Sequence, residues 1–168
     1  MIVRAARTAM AVAGREAVTV VLGADAVQIE DLLRREPVAM TFNPHFDEGI
    51  GSSIRAGVAQ VPAGAGAAMI LLADQVAVTG DELLQLVSHW KERPDRIVAA
   101  RYRGTTGAPA IFPADLFPEL AGLTGDRGAR TLLSAHADRV VAVAIPSAAI
   151  DVDTPADVVT GRSQATAE

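Results

Sequence analysis

The sequence predicts an α/β domain built on a mostly parallel sheet. Three observations carry that expectation. Short β-branched runs alternate with amphipathic stretches of roughly three helical turns, the pattern of βαβ units. The run 67–73, AAMILLA, is apolar throughout, which suits a parallel strand covered on both faces. The chain has 168 residues, half of them hydrophobic and 21% charged. That is about one domain's worth of polymer, with a core of useful size.

The elements follow in order. Residues 1–14 read as an amphipathic helix, because Arg4 and Arg7 interrupt an Ala-rich apolar stretch too short for a secretory segment. Residues 17–22 form a β-branched strand ending at Gly23. A helix over 25–35 places Ile29, Leu32 and Leu33 at helical spacing, and a strand over 38–42 closes at Asn43-Pro44. Residues 52–60 are helical, with Ile54, Val58 and Val61 on one face. After the 67–73 strand, Thr79 and Glu82 form a capping box opening a helix with Leu83, Leu86, Val87 and Trp90 on one stripe. Pro94 ends it. Strands follow at 96–102 and 110–112, joined by a turn over 103–107. Short helices at 113–122 and 127–137 precede a late strand at 140–145. Thr154-Pro155 marks a further helix start, with proline where its missing N–H costs nothing. The domain is expected to span 1–160, and the polar tail 161–168 to fray.

Composition narrows the function. The net charge is −5, which argues against a nucleic-acid module with its basic face. Cysteine is absent, so disulfides, thiolate metal sites and a Cys nucleophile are excluded together. No stretch reaches the roughly 20 apolar residues of a membrane span, and a cytoplasmic protein is expected. Walker, GxGxxG and HExxH motifs are missing, and no Ser-His-Asp arrangement is legible.

In a mostly parallel sheet, ligands gather at the carboxyl ends of the strands. Three polar loops stand there. Asp74-Gln75 follows the most apolar strand. A lone carboxylate at the end of a buried strand is costly unless paired or metal-bound. Magnesium takes one or two carboxylates and fills its octahedron with water and phosphate oxygens. Asp74 with Asp151 or Asp153 could form such a clamp; equally, Asp74 could cap the next turn and Asp153 assist the Thr154 helix start. The loop from Asn43 to Ser53, with Gly49, Ser52 and Ser53, offers amides and hydroxyls to a ribose or base. The alternative makes Ser52 and Ser53 ordinary N-caps. The 125–130 turn, Gly125-Asp-Arg-Gly-Ala-Arg130, offers amides and arginines to an anion, or is simply a solvated loop. His89 and His136 read as structural, while His45, in the 43–53 loop, stays open.

Together these segments resemble one family. The order NPxxxxGxxSS, LADQ, GxxGxP, GDxGAR, DxDTPxD is similar to the molybdenum-cofactor cytidylyltransferase group, a branch of the MobA-like nucleotidyltransferases. Here the motifs run through Asn43-Pro44, Gly49 and Ser52-Ser53, then Leu72 to Gln75, Gly104 to Pro109, Gly125 to Arg130, and Asp151 to Asp157. The resemblance covers about 3–160 and implies a three-layer α/β/α Rossmann-like fold of the nucleotide-diphospho-sugar-transferase type. It implies transfer of a nucleoside monophosphate from an NTP, CTP favoured, to a phosphorylated acceptor such as molybdopterin, with release of pyrophosphate. Asp74 and Asp153 would hold Mg²⁺, with Asp151 a further partner. Asn43, Gly49, Ser52 and Ser53 would contact the nucleoside, and Gly107, Pro109, Gly125 and Arg130 would shape the acceptor side. No nucleic-acid or membrane partner is implied.

Three departures from the family pattern stand out. Val76 replaces the usual proline after LADQ, and Ala108 a common histidine. The family's opening LAAGxSxRMGxxK, a strand and phosphate loop, has no counterpart here. That implies an N-terminally truncated sheet in which two strands either close up or keep unpaired edges. It also opens a second expectation, a non-catalytic cofactor- or nucleotide-binding relative.

Overall fold

The computed structural model describes residues 1–126 and 128–150. Among them the order is α1 (Ile2–Ala13), β1 (Thr19–Leu22), α2 (Ala26–Leu33), β2 (Ala39–Phe42), α3 (Ile50–Val58), β3 (Ala67–Ile70), α4 (Gly80–Glu92), β4 (Ile97–Tyr102), β5 (Thr105–Pro113), α5 (Phe117–Ala121), α6 (Arg130–Ala135) and β6 (Val140–Ala144). Each strand and helix expected from the sequence up to residue 145 is present with shifted ends, and the expected turn over 103–107 shrinks to Arg103-Gly104 because β5 already begins at Thr105 rather than at 110. The expected helix start at Thr154 lies outside the described residues.

Local chemistry sets several boundaries. At the start of α4 the Thr79 hydroxyl accepts from the Glu82 amide, and a Glu82 carboxylate oxygen accepts from the Thr79 amide at 2.8 Å. Both orphan donors of that helix end are thereby satisfied. Between β4 and β5, Tyr102 pairs with Thr105 across the two residues Arg103 and Gly104. Both have positive φ, 46° and 75°, the type I′ pattern that matches the twist of the flanking strands.

Alternation along β4 builds two cores. Ile97 and Ala99 join Phe112, Leu116, Leu120, Leu132 and Leu133, under α3, α5 and α6. Val98 and Ala100 join Leu83, Leu86, Ile111, Val143 and Ile145, under α4. Successive strand residues face opposite sides, so β4 is buried on both faces and the architecture has three layers.

The larger sheet has the order β3-β5-β4-β6. β5 runs antiparallel to both neighbours, and β4 is parallel to β6. Three of these four strands therefore share a direction. A separate parallel pair joins β1 to β2. Among the described residues, β1 pairs with β2 alone and β3 with β5 alone. This corrects the reading of β3. The run was expected as a parallel strand covered on both faces, and among the described residues it pairs only with the reversed strand β5. All four of its residues are consequently only half-buried.

Helices tie the two sheets together. On one face, Ala6 of α1 packs with Val20, Leu22 and Leu33, while Val12 of the same helix packs against the α4 core. On the other face, Ile54 of α3 belongs to the Phe112 core. In the same helix a Cβ added at Gly57 would lie 3.2 Å from Val21 of β1. Each half thus borrows part of its burial from a helix that also covers the other.

Candidate functional site

The site is assembled where β3 ends. Beyond Ile70 the chain leaves the sheet through Leu71 to Ala73 and turns at Asp74, whose carbonyl accepts from the Val76 amide at 2.7 Å. Asp74 is half-buried there. The next side chain, Gln75, is only 4% exposed. Its amide nitrogen donates to the carbonyls of Ala108, at 2.8 Å, and Ala148, at 3.0 Å. One primary amide therefore links the end of β3, the middle of β5 and the 3-10 turn Pro146–Ala149. Gln75 Oε1 is buried and has no hydrogen-bond partner among the described residues.

Pro146–Ala149 is held from two further directions. The Ser147 hydroxyl donates to Glu82 Oε1 at 2.7 Å, and the Ile145 amide donates to the Arg101 carbonyl at 3.1 Å. Gly107 and Pro109 are buried in β5, on either side of the carbonyl that Gln75 grips. A Cβ at Gly107 would come within 2.7 Å of the Tyr102 hydroxyl, so glycine is what lets that ring pack down. Asp151 and Asp153, the acids expected to join Asp74, lie outside the described residues.

A second constellation forms around Asn43, at the end of β2. Asn43 is 2% exposed, and its Nδ2 donates to Ser52 Oγ at 2.8 Å and Ser53 Oγ at 3.1 Å. Its Oδ1 accepts from the His45 amide at 3.0 Å, and the Ser52 hydroxyl donates to the Gly49 carbonyl at 2.8 Å. The alternative reading of these serines as N-caps is corrected here. The N-cap of α3 is Gly49, with no side-chain cap bond, and both serines point back to fasten the preceding loop. A buried amide with both ends satisfied fixes a loop firmly.

This loop docks on the 125–130 turn. The Gly51 amide donates to the Gly125 carbonyl at 3.0 Å. Gly49 has φ +102°, and a Cβ there would lie 2.7 Å from the Gly125 carbonyl carbon. Gly128 leaves the same kind of room for Ile50. The structure thus brings Asn43, Gly49, Ser52, Ser53 and Gly125 into one unit, and Gly107 and Pro109 into another with Asp74. Arg130, exposed, opens α6; Arg127 lies outside the described residues.

Arg55 braces the first unit. It donates to the Leu123 carbonyl at 2.6 Å and to Glu48 Oε2 at 2.7 Å. The Arg55 hydrogen bond holds the Glu48 carboxyl below its ordinary range, with His45 nearby adding to the effect. A carboxylate lowered in this way keeps its contact above the ordinary glutamate pKa and releases it as pH falls through the lowered value. His89 Nδ1 donates to the Gln85 carbonyl at 2.8 Å, and His136 Nε2 meets Glu119 Oε2 at 2.9 Å.

The oxygen-bearing side chains at the end of β3 that could hold a hard divalent cation are Asp74 and Gln75. Asp74 supplies a carboxylate, and Gln75 Oε1 is a buried oxygen with no donor facing it among the described residues. Oxygen-only donors suit magnesium and manganese, which keep several waters and need few protein ligands. Among the described residues no group of three or more His, Asp or Glu side chains is arranged to hold a metal ion. A site with Asp74 therefore draws any second carboxylate from elsewhere. Sequence reasoning missed Gln75 as a positioning residue and Arg55 as a brace. Gln75 left one signal, a polar side chain directly after an apolar strand.

Comparison with known proteins extends the picture. The sequence profile described as MobA-like NTP transferase domain matches residues 1–140. The purine catabolism protein PucB of Bacillus subtilis is 34% identical over 113 residues, 65% of this chain and 54% of that protein. Nicotine blue oxidoreductase of Paenarthrobacter nicotinovorans is 33% identical over 141 residues, 79% of this chain and 67% of that protein. The chain thus spans between about half and two thirds of these relatives. A crystal structure of Rv0371c from Mycobacterium tuberculosis, in complex with manganese, superposes with TM-score 0.77 at 22% identity, covering 95% of this chain and 84% of that one. At that identity the likeness is one of fold. No helix among the described residues is long and apolar enough to cross a membrane.

Proposed function

The chain belongs to the MobA-like NTP transferase family, and from that premise we propose that it acts as a nucleotidyltransferase on a small phosphorylated acceptor. The donor is a nucleoside triphosphate, CTP favoured, and the acceptor an anionic cofactor of the molybdopterin type. An acceptor phosphate oxygen attacks the α-phosphorus. The bond from that phosphorus to the α,β-bridging oxygen breaks, and pyrophosphate leaves with its electron pair.

Phosphoryl chemistry of this kind asks the protein mainly for positioning and charge neutralisation. Asn43, Gly49, Ser52 and Ser53 form the nucleoside side, on a loop whose own hydrogen bonds fix it before any ligand arrives. Gly107, Pro109 and Arg130 shape the acceptor side, whereas Gly125, which the resemblance gives to that side, supports the nucleoside loop through its carbonyl. Asp74, Asp153 and Asp151 are the residues that would hold Mg²⁺. When bound, such an ion supplies positive charge to the triphosphate and orients it.

One observation supports this reading most strongly, the grip of Gln75 on Ala148. It ties the end of the described chain to the residue beside Asp74. That tether supports the reading in which Asp151 and Asp153, which follow Ala148 closely in sequence, join Asp74.

Calorimetric titration with CTP, with and without Mg²⁺, tests the proposal, with pyrophosphate release followed separately. Metal-dependent nucleotide binding is expected. Equal affinity with and without the cation would overturn the reading. Metal-dependent binding with no pyrophosphate release would favour a binding protein over a transferase.

A further inference from the structure

An open cavity of about 480 Å³ lies between the β4–β5 turn and Pro146–Ala149. Arg101, Tyr102, Arg103, Gly104, Pro146 and Ala149 line it. Three features set it apart. Its lining carries two cations and no acid among the described residues, in a chain of net charge −5. Among the described residues neither guanidinium has a hydrogen bond or ion pair, whereas Arg7, Arg55 and Arg139 are each paired with a carboxylate. And Arg103 stands at the first central position of a type I′ turn, with φ 46°.

The third feature has the most weight. That position favours Asn, Asp or Gly, because an L side chain with a Cβ is strained there. An arginine held against local preference, beside a second arginine and over a cavity, points to use by a ligand. Guanidinium pairs are suited to phosphate, through charge and a planar fork of donors. The far wall is firm, since Pro146–Ala149 is anchored by Gln75, Glu82 and the Arg101 carbonyl.

We propose that Arg101 and Arg103 form an anion seat for the phosphate of the acceptor, separate from the seat of the nucleotide. The anion seat itself stands on the cavity and its arginines; naming its occupant an acceptor rests on the transferase reading. A free phosphate, an acceptor phosphate and the triphosphate of CTP share this chemistry, and the experiment separates them.

The test is an NMR titration of the chain with inorganic phosphate, and separately with Mg²⁺-CTP, in the parent, Arg101→Gln and Arg103→Gly. In the parent, phosphate should shift amide resonances of residues 101–105 and 146–149. Each variant should weaken phosphate binding at least about tenfold and leave Mg²⁺-CTP affinity unchanged. Arg103→Gly should also keep or raise the thermal midpoint, because glycine suits the turn. Shifts absent from the cavity, or phosphate affinity unchanged in both variants, would overturn the seat. A lower thermal midpoint for Arg103→Gly would make that arginine structural and likewise overturn it. Equal losses for phosphate and Mg²⁺-CTP would give the cavity to the nucleotide and overturn the acceptor assignment. Failure of the transferase reading shows differently: phosphate still binds at the arginines while CTP shows no dependence on metal.

Discussion

Asp74→Asn should weaken Mn²⁺ binding by at least about a hundredfold and lower any nucleotidyl transfer about a thousandfold. The second figure corresponds to roughly 4 kcal/mol of transition-state stabilisation, within the several kcal/mol a metal centre supplies. Asparagine keeps the shape of the side chain and removes its charge, so the substitution isolates the electrostatic part. The Asp74 backbone turn uses its carbonyl, which the substitution leaves in place. Urea unfolding measured alongside separates a loss of metal affinity from a loss of fold. Electron paramagnetic resonance of free against bound Mn²⁺ reads the affinity directly. An Asp74→Asn protein that binds Mn²⁺ as the parent does would remove Asp74 from the metal site.

Gly49→Ala should destabilise the protein by about 2–4 kcal/mol and disorder the 43–53 loop along with it. Two effects add here. At φ +102° an L side chain is strained, typically by about 1–3 kcal/mol. The new Cβ would also sit 2.7 Å from the Gly125 carbonyl carbon and 2.8 Å from its oxygen. Those are backbone atoms of a docked loop, which cannot swing aside as the Asp126 carboxylate can. Relief requires separating the 49–51 and 124–126 segments, which breaks the bond from the Gly51 amide to the Gly125 carbonyl. Urea denaturation reads the stability, and CTP affinity should fall in parallel. Gly64→Ala is the control, since it has a similar φ, +87°, with nothing within 4 Å of an added Cβ. It should cost only the strain.

The layered α/β plan was legible because it rests on local signals. The Thr79–Glu82 box, the stripe of Leu83, Leu86 and Trp90, and the β-branched runs state their structure within a few residues. The environment of β3 was not legible. An apolar run says that a strand is to be buried, and cannot say that its partner is reversed. The same limit hid the role of Ser52 and Ser53. Serine near a helix start satisfies either a capping bond or a tether, and only the place of Asn43, nine and ten residues earlier, distinguishes them. Gln75 is bound to carbonyls 33 and 73 residues away. The need for Gly49 arises from a loop more than seventy residues later. Candidate site residues could be named by type, while the contacts that hold them in place are long-range and belong to the fold.

Mn²⁺ affinity of Asp74→Asn, Asp153→Asn and the double variant bears most directly on the claim that both side chains grip one ion. If they share a cation, each single change removes nearly all the binding and the double change adds little more. Full Mn²⁺ affinity in Asp153→Asn, or losses that simply sum, would contradict the account.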